Sequence, residues 1–250
     1  MNIISIFFKV NKVYRISDWI HYLGYTLIGS ILFKDIKINT FLQTSLLLAY
    51  AYSFNDYYDK KLKRKYFLIP LFLSLITLPF LRIWEVVLSL LFLLIFTLYS
   101  WPKVWLEGKP IISTLSNSIG FTLLLILPFP NITYVLDYFL FILLIFTLNT
   151  VAQLLHEIVD LKEDKKINKI TTTVKFGIKK SLILFKFCMF NVILISFFLL
   201  NKFPLISLSS IIFSCCFLLI RKVKRKTRKM FKLLGISVGA AYLVSLLYHR

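Results

Sequence analysis

Apolar residues run along this chain in stretches too long to serve as one face of a soluble helix or strand. Between Ile83 and Ser100 the only charged residue is Glu85, and from Phe139 to Leu155 there is none. A helix needs about 20 mostly apolar residues to cross about 30 Å of hydrocarbon. Stretches of this kind recur near residues 17–33, 40–55, 66–81, 83–100, 112–129, 137–155, 181–200, 203–220 and 232–248. They predict an all-α integral membrane protein, a single polytopic domain over residues 1–250 with about nine transmembrane helices. The tight turn Arg82-Ile83-Trp84-Glu85 between the third and fourth stretches leaves a count of eight open. Composition agrees: 58% of the 250 residues are hydrophobic and 17% charged, more apolar surface than one soluble core buries.

Positive charge divides unevenly between the connections. Short cytoplasmic loops carry the excess of Lys and Arg. About 25 of the 31 fall in the N-terminal segment and after stretches two, four, six and eight, whereas Lys34, Lys37, Arg82, Lys202 and Arg250 fall on the other side. The N-terminus and the even-numbered loops are therefore expected in the cytoplasm of a multi-pass protein of the cell membrane. A net charge of +20 and the basic run from Arg221 to Lys229 would suit a nucleic-acid binder if taken alone. Placed between two spans, the run reads as a topology signal that also touches anionic lipid headgroups. Membrane lipids, and no nucleic acid, are the expected partners. Cys188, Cys215 and Cys216 lack the spacing of a disulfide framework or a zinc site. The short apolar segment Ile3 to Phe8, followed at once by Lys9, does not have the form of a cleavable signal peptide.

Acids are scarce, so their grouping carries information. Of the 11 Asp and Glu, two fall in Asn55-Asp56-Tyr57-Tyr58-Asp59 at the end of the second stretch, and Glu157, Asp160, Glu163 and Asp164 follow the sixth. On helices, Asp56 and Asp59 share one face, and Glu157, Asp160 and Asp164 share another. Carboxylates gathered at a membrane boundary repel one another and lose hydration, a cost that cations must offset. Neighbouring Lys60, Lys61, Lys165 and Lys166 can do this as solvated pairs, or a divalent metal can. Magnesium takes one or two carboxylates and completes its shell with water and substrate phosphate. Asp56 and Asp160 lie 104 residues apart, each closing the first of four successive spans. That spacing predicts two pseudo-repeated four-helix units around a central cavity. Asn117, Asn149 and Gln153 are polar residues within spans, suited to helix–helix hydrogen bonds or to a site. His156 suits an interfacial position or a base for the acceptor.

These residues resemble the UbiA superfamily of intramembrane prenyltransferases over the whole chain. Asn55, Asp56 and Asp59 match its first signature, N-D-x-x-D-x-x-x-D, and Asp160, Asp164, Thr171 and Gly177 match the spacing of its second. Tyr99-Ser100-Trp101-Pro102-Lys103 matches a Tyr-x-x-x-Lys element after span four, and the continuation from Leu106 to Asn117 is similar to a branch that includes carotenoid-elongating enzymes. The resemblance implies that Asp56, Asp59, Asp160 and Asp164 hold the cofactor Mg2+ and carry catalysis, while Asn55, Tyr99 and Lys103 bind the diphosphate. It implies transfer of a polyprenyl group from an allylic polyprenyl diphosphate to a lipophilic acceptor, with release of diphosphate. An allylic cation would need an aromatic-lined, dry cavity, for which Tyr57 and Tyr58 are well placed.

The chain also departs from the pattern. Lys63 stands where the first signature usually has its last acid. It either contacts the diphosphate or marks a catalytically divergent protein that binds or carries prenyl diphosphate lipids without turnover. Glu163 and Asn168 replace frequent glycines, and Thr173 replaces a frequent proline.

Overall fold

The computed structural model describes residues 10–220 and 222–248, the side chains of the last three excepted. The segment Ile3 to Phe8, Lys9, Arg221 and Arg250 therefore lie outside the described residues. Within these bounds every regular element is a helix, and helix lies over each of the apolar stretches of the sequence. Ile83–Ser100, Phe139–Lys166 and Thr172–Leu199 are both long and apolar enough to cross a membrane; Lys65–Phe80, Ile112–Ile126 and Pro204–Leu218 are apolar but shorter. The helices sort into two compact units, one running to Trp105 and including Leu123–Tyr134, the other comprising Leu106–Thr122 and the chain from Val135 onward.

In the first unit, α1 (Leu23–Leu32), α3 (Lys65–Thr77) and α4 (Ile83–Ser100) all pack on α2 (Ile38–Tyr58). The buried positions of α2 include Thr40, Gln43, Thr44, Leu47, Ala51 and Phe54, spaced by three and four so that they line one side. Its polar members bond to neighbouring helices. Gln43 Nε2 donates to Ser74 Oγ at 3.1 Å, and Thr77 Oγ1 donates to Gln43 Oε1 at 2.5 Å. Thr26 Oγ1 lies 3.1 Å from Thr44 Oγ1 and donates to the carbonyl of Leu124 at 3.0 Å. Such bonds join helices that hydrophobic burial alone would not hold together in lipid. Gly29 is required by space: a Cβ there would collide with the Leu125 carbonyl and the Pro128 ring.

α4 opens on an ion pair between half-buried Arg82 and buried Glu85. Glu85 accepts from the backbone N–H of Arg82 (2.9 Å), from Arg82 Nη2 (3.1 Å) and from Thr40 Oγ1 (2.9 Å). Arg82 also reaches Asp35 at 2.9 Å and the carbonyl of Pro128 at 3.1 Å. One acid thereby caps its own helix and ties it to α2, while its arginine gathers two connecting segments.

The second unit contains α5 (Ile112–Ile126) up to Thr122, α6 (Phe139–Lys166), α7 (Thr172–Leu199), α8 (Pro204–Leu218) and α9 (Arg225–Tyr248). α7 packs on α6 and α8, and α9 packs on α8 and α6. Val151, Leu154, Leu155, Phe185, Met189, Phe213, Phe217 and Phe231 form the core of this arrangement. α7 buries Phe185, Met189, Val192 and Leu199 on one side and exposes Ile183, Phe187, Phe190, Leu194 and Phe197 on the other. A helix apolar on both sides is stable in hydrocarbon, not in water. At Gly177, α7 is interrupted by φ 77° and ψ 165°, a conformation essentially confined to glycine.

Candidate active site

The last turn of α2 delivers the first acidic pair. The helix ends at Tyr58, Asp59 caps it, and Lys60 turns the chain through a left-handed φ of 59°. The backbone N–H groups of Lys61 and Leu62 then donate to the Asp56 carbonyl at 2.8 and 3.2 Å. This fold-back carries Lys61 Nζ to 2.8 Å from Asp59 and 3.6 Å from Asp56. From the chain's N-terminal side, Arg15 reaches Asp56 at 3.3 Å and Asp18 at 2.8 Å. Asp56 is buried and Asp59 exposed. Burial alone would lower the Lys61 pKa, but the hydrogen bond to Asp59 and the charges of Asp59 and Asp56 outweigh it and hold the ammonium above its ordinary value. For Arg15, burial is likewise outweighed by the hydrogen bond to Asp18 and the charges of Asp56 and Asp18.

The other residues expected near this pair belong to the same unit but differ in setting. Ser100 Oγ donates to Asn55 Oδ1 at 3.2 Å, joining the ends of α4 and α2. Tyr99 is buried beside Phe96, with ring centroids 6.1 Å apart. Lys103 is exposed, its ammonium 5.7 Å from the Trp101 ring centre. Lys63 is exposed in the turn before α3, and no hydrogen bond or ion pair of its side chain with Asp56 or Asp59 is seen. Tyr57 and Tyr58 pack with Phe54 and Phe67 in a cluster whose ring centroids lie 4.9 to 5.0 Å apart.

On α6 the shared acidic face divides into three roles. Glu157 is buried and accepts from Thr114 Oγ1 (2.8 Å), Ser113 Oγ (3.3 Å) and the backbone N–H of Thr173 (3.2 Å). It is thereby committed to joining α5, α6 and the first turn of α7, where the helix dipole favours a carboxylate. Asp160 lies 2.6 Å from His156 Nδ1 and 3.3 Å from Arg228 Nη1. Asp164 is buried; Thr171 Oγ1 donates to it at 3.3 Å and Lys169 Nζ stands 4.0 Å away. Lys169 also pairs with Glu107, and exposed Glu163 pairs with Arg225. Both ring nitrogens of His156 are engaged, Nδ1 by Asp160 and Nε2 by Arg228 at 2.7 Å. Asn117 and Gln153 bond to each other at 2.6 Å and Asn149 to Thr122 at 3.3 Å, the helix–helix role.

Two departures from the family pattern acquire reasons. Asn168 sits at the end of α6 with φ 55°, a left-handed position that asparagine tolerates in place of glycine. Thr173 supplies the N–H that Glu157 accepts, which proline lacks. Proline is tolerated in the first turn of a helix, so the main interaction lost in Thr173→Pro is this donor. It is expected to lower stability by about 1–2 kcal/mol, measured as thermal unfolding in detergent; an unchanged melting point would show that Glu157 does not depend on it.

In the sequence Arg15, Arg225 and Arg228 read only as topology signals, and nothing there marks Lys169 as a partner of the acids. The cost of crowding acids calls for cations, and among the neighbouring lysines Lys61 does pair with Asp56 and Asp59; no local spacing points to the distant Arg15 and Arg228. Among the described residues no three Asp, Glu, His or Cys side chains converge as a ready-made metal cage. Magnesium does not require one, since a pair of carboxylates with water and phosphate suffices. Taken pair by pair, Asp56 with Asp59 and Asp160 with Asp164 offer the oxygen donors that this ion takes.

Comparison with known proteins is consistent with this architecture. A UbiA homolog from Archaeoglobus fulgidus bound to DMAPP and Mg2+ superposes with a TM-score of 0.78 at 15% identity, covering 96% of this chain and 98% of that one. The same homolog bound to GPP and Mg2+ gives 0.75 at 15% identity, covering 95% and 99%. A structure of digeranylgeranylglyceryl phosphate synthase gives 0.71 at 19% identity, covering 96% and 98%. At these identities the likeness establishes the fold. No curated protein sequence matches the chain. The family model for the UbiA prenyltransferase family matches residues 64–236, more than half of the chain, beginning just after the first signature and enclosing the second. With its helices, its second signature and this match together, the chain belongs to the UbiA prenyltransferase family, whose members are embedded in membranes.

Proposed function

We propose that the chain is a magnesium-dependent prenyltransferase, moving a polyprenyl group from its allylic diphosphate to a lipophilic acceptor within the bilayer. The observation that carries this reading is the pairing of acids at the ends of α2 and α6 with fixed cations: Asp56 and Asp59 with Lys61, Asp160 with Arg228, Asp164 with Lys169. Groups that alternate in charge at this density suit a ligand that is itself a metal-bridged polyanion. The solved relatives with DMAPP or GPP and Mg2+ support it.

In this reading Asp56, Asp59, Asp160 and Asp164 hold the metal, and Asn55, Tyr99, Lys103 and Lys63 attend the diphosphate. Bound magnesium supplies the charge that lets diphosphate leave. The lysines add fixed positive charge where negative charge develops, and the aromatic cluster around Tyr57 and Tyr58 keeps water from the allylic group. We further propose nine spans in the cell membrane, with the N-terminus and both signature loops cytoplasmic, on the distribution of Lys and Arg.

Purified protein given labelled geranylgeranyl or longer diphosphates and a panel of lipophilic acceptors should release diphosphate only when magnesium is present. A second reading rests on Lys63, a cation at an acid's usual place: binding of prenyl diphosphate without turnover. Saturable donor binding with no diphosphate release over the whole panel would favour that reading and defeat the first.

A further inference from the structure

The basic run between α8 and α9 does more than set topology. Arg225 and Arg228, one turn apart on α9, share a face, and that face meets α6: Arg225 pairs with Glu163, and Arg228 spans both oxygens of Asp160 at 3.5 and 3.3 Å. Arg228 Nη2 also reaches His156 Nε2 at 2.7 Å, while His156 Nδ1 lies 2.6 Å from the same Asp160. Arginine can only donate, so Nε2 accepts in this contact and Nδ1 is the nitrogen that donates to the carboxylate. Asp160, His156 and Arg228 therefore form a closed ring of contacts. Cations in the first turn of a helix oppose its dipole, so the first turn of α9 is a poor place for two arginines unless an anion facing it compensates.

Both oxygens of Asp160 are occupied by the guanidinium, and a metal needs at least one of them. Resting on the prenyltransferase reading, we propose that Arg228 is a positioning residue that exchanges partners: it neutralises Asp160 before the metal arrives and moves to the diphosphate when Asp160 takes the metal. Arginine suits this exchange because its planar fork binds carboxylate and phosphate with the same geometry. The charge of α9 then makes the metal bind weakly alone and well with diphosphate, which couples the two ligands.

Binding of Mn2+, a paramagnetic stand-in for magnesium, to the full-length protein in detergent tests this by electron paramagnetic resonance. Without diphosphate, Arg228→Met should bind Mn2+ on the order of tenfold more tightly than the parent, since a charge-assisted competitor is gone. With Mn2+ present, the same variant should bind geranyl diphosphate on the order of tenfold more weakly. Arg228→Lys, which keeps the charge but not the fork, should fall between and guards against a folding defect in the methionine variant. A role confined to holding α9 against α6 would weaken both affinities or neither, and either result overturns the exchange. Parent protein whose Mn2+ affinity ignores Asp160→Asn would overturn the metal reading itself, which separates that failure from a failure of Arg228.

Discussion

Asparagine at position 160 is expected to reduce prenyl transfer by about 10²-fold or more, the scale on which losing one preorganised electrostatic partner slows a reaction. The substitution keeps the shape of the side chain and one oxygen that can still accept from His156 or Arg228. What it removes is the negative charge. An amide oxygen is a weaker ligand for a hard divalent ion than a carboxylate because it carries no charge, and an uncompensated Arg228 beside it would repel the metal further. The effect should appear as a rise in the magnesium concentration needed for half-maximal rate together with a lower maximum. Glu163→Gln is the internal control. That acid is exposed and paired with Arg225 at the surface, so its loss should change the rate by less than about twofold. Diphosphate release measured across a magnesium series decides the matter; turnover by Asp160→Asn close to the parent's would remove Asp160 from the site.

Glu85→Ala should cost about 3 kcal/mol of stability, among the largest single losses available away from the signatures. Glu85 is 1% exposed and accepts three hydrogen bonds, two of them from Arg82. Alanine leaves Thr40 without its acceptor, opens the N-terminal cap of α4 and deprives a half-buried guanidinium of one of its two acids. Asp35 would remain as the other. Glu85→Gln retains the volume and an acceptor and should lose roughly half as much. Thermal unfolding in detergent gives both values, and equal melting points for alanine and parent would show that the ion pair stabilises nothing.

The positions of the helices were legible because hydrocarbon permits few alternatives: a long apolar run must satisfy its own backbone. Where helices end was less legible. The sixth apolar stretch ends near residue 155 and the seventh begins near 181, while the helices that contain them run further, α6 to Lys166 and α7 from Thr172. Charge after Leu155 looks like a loop to a hydropathy argument, but Glu, Lys and Leu are good helix formers, and the His156–Asp160 pair at i,i+4 supports the extension. The acids stood out because they are rare and clustered. Lys61 stood beside them, but their distant cations did not show, since Arg15 is 41 positions from Asp56 and Arg228 is 68 from Asp160, and such separations leave no periodic trace. Glu157 shows the opposite error. It shares a face with Asp160 and Asp164, yet three hydrogen bonds from Ser113, Thr114 and Thr173 commit it to holding helices together.

The interruption at Gly177 separates a short leading turn, anchored through Thr173 to Glu157, from a lipid-facing stem of more than twenty residues. A bilayer thinner or thicker than that stem is accommodated by changing its tilt. A continuous rod would lever such a tilt directly into the connection that sets Lys169 and Thr171 against Asp164. With the rod divided at Gly177, a tilt of the stem need not be passed to the turn that Glu157 holds, so the end of α6 is spared from following the thickness of the lipid.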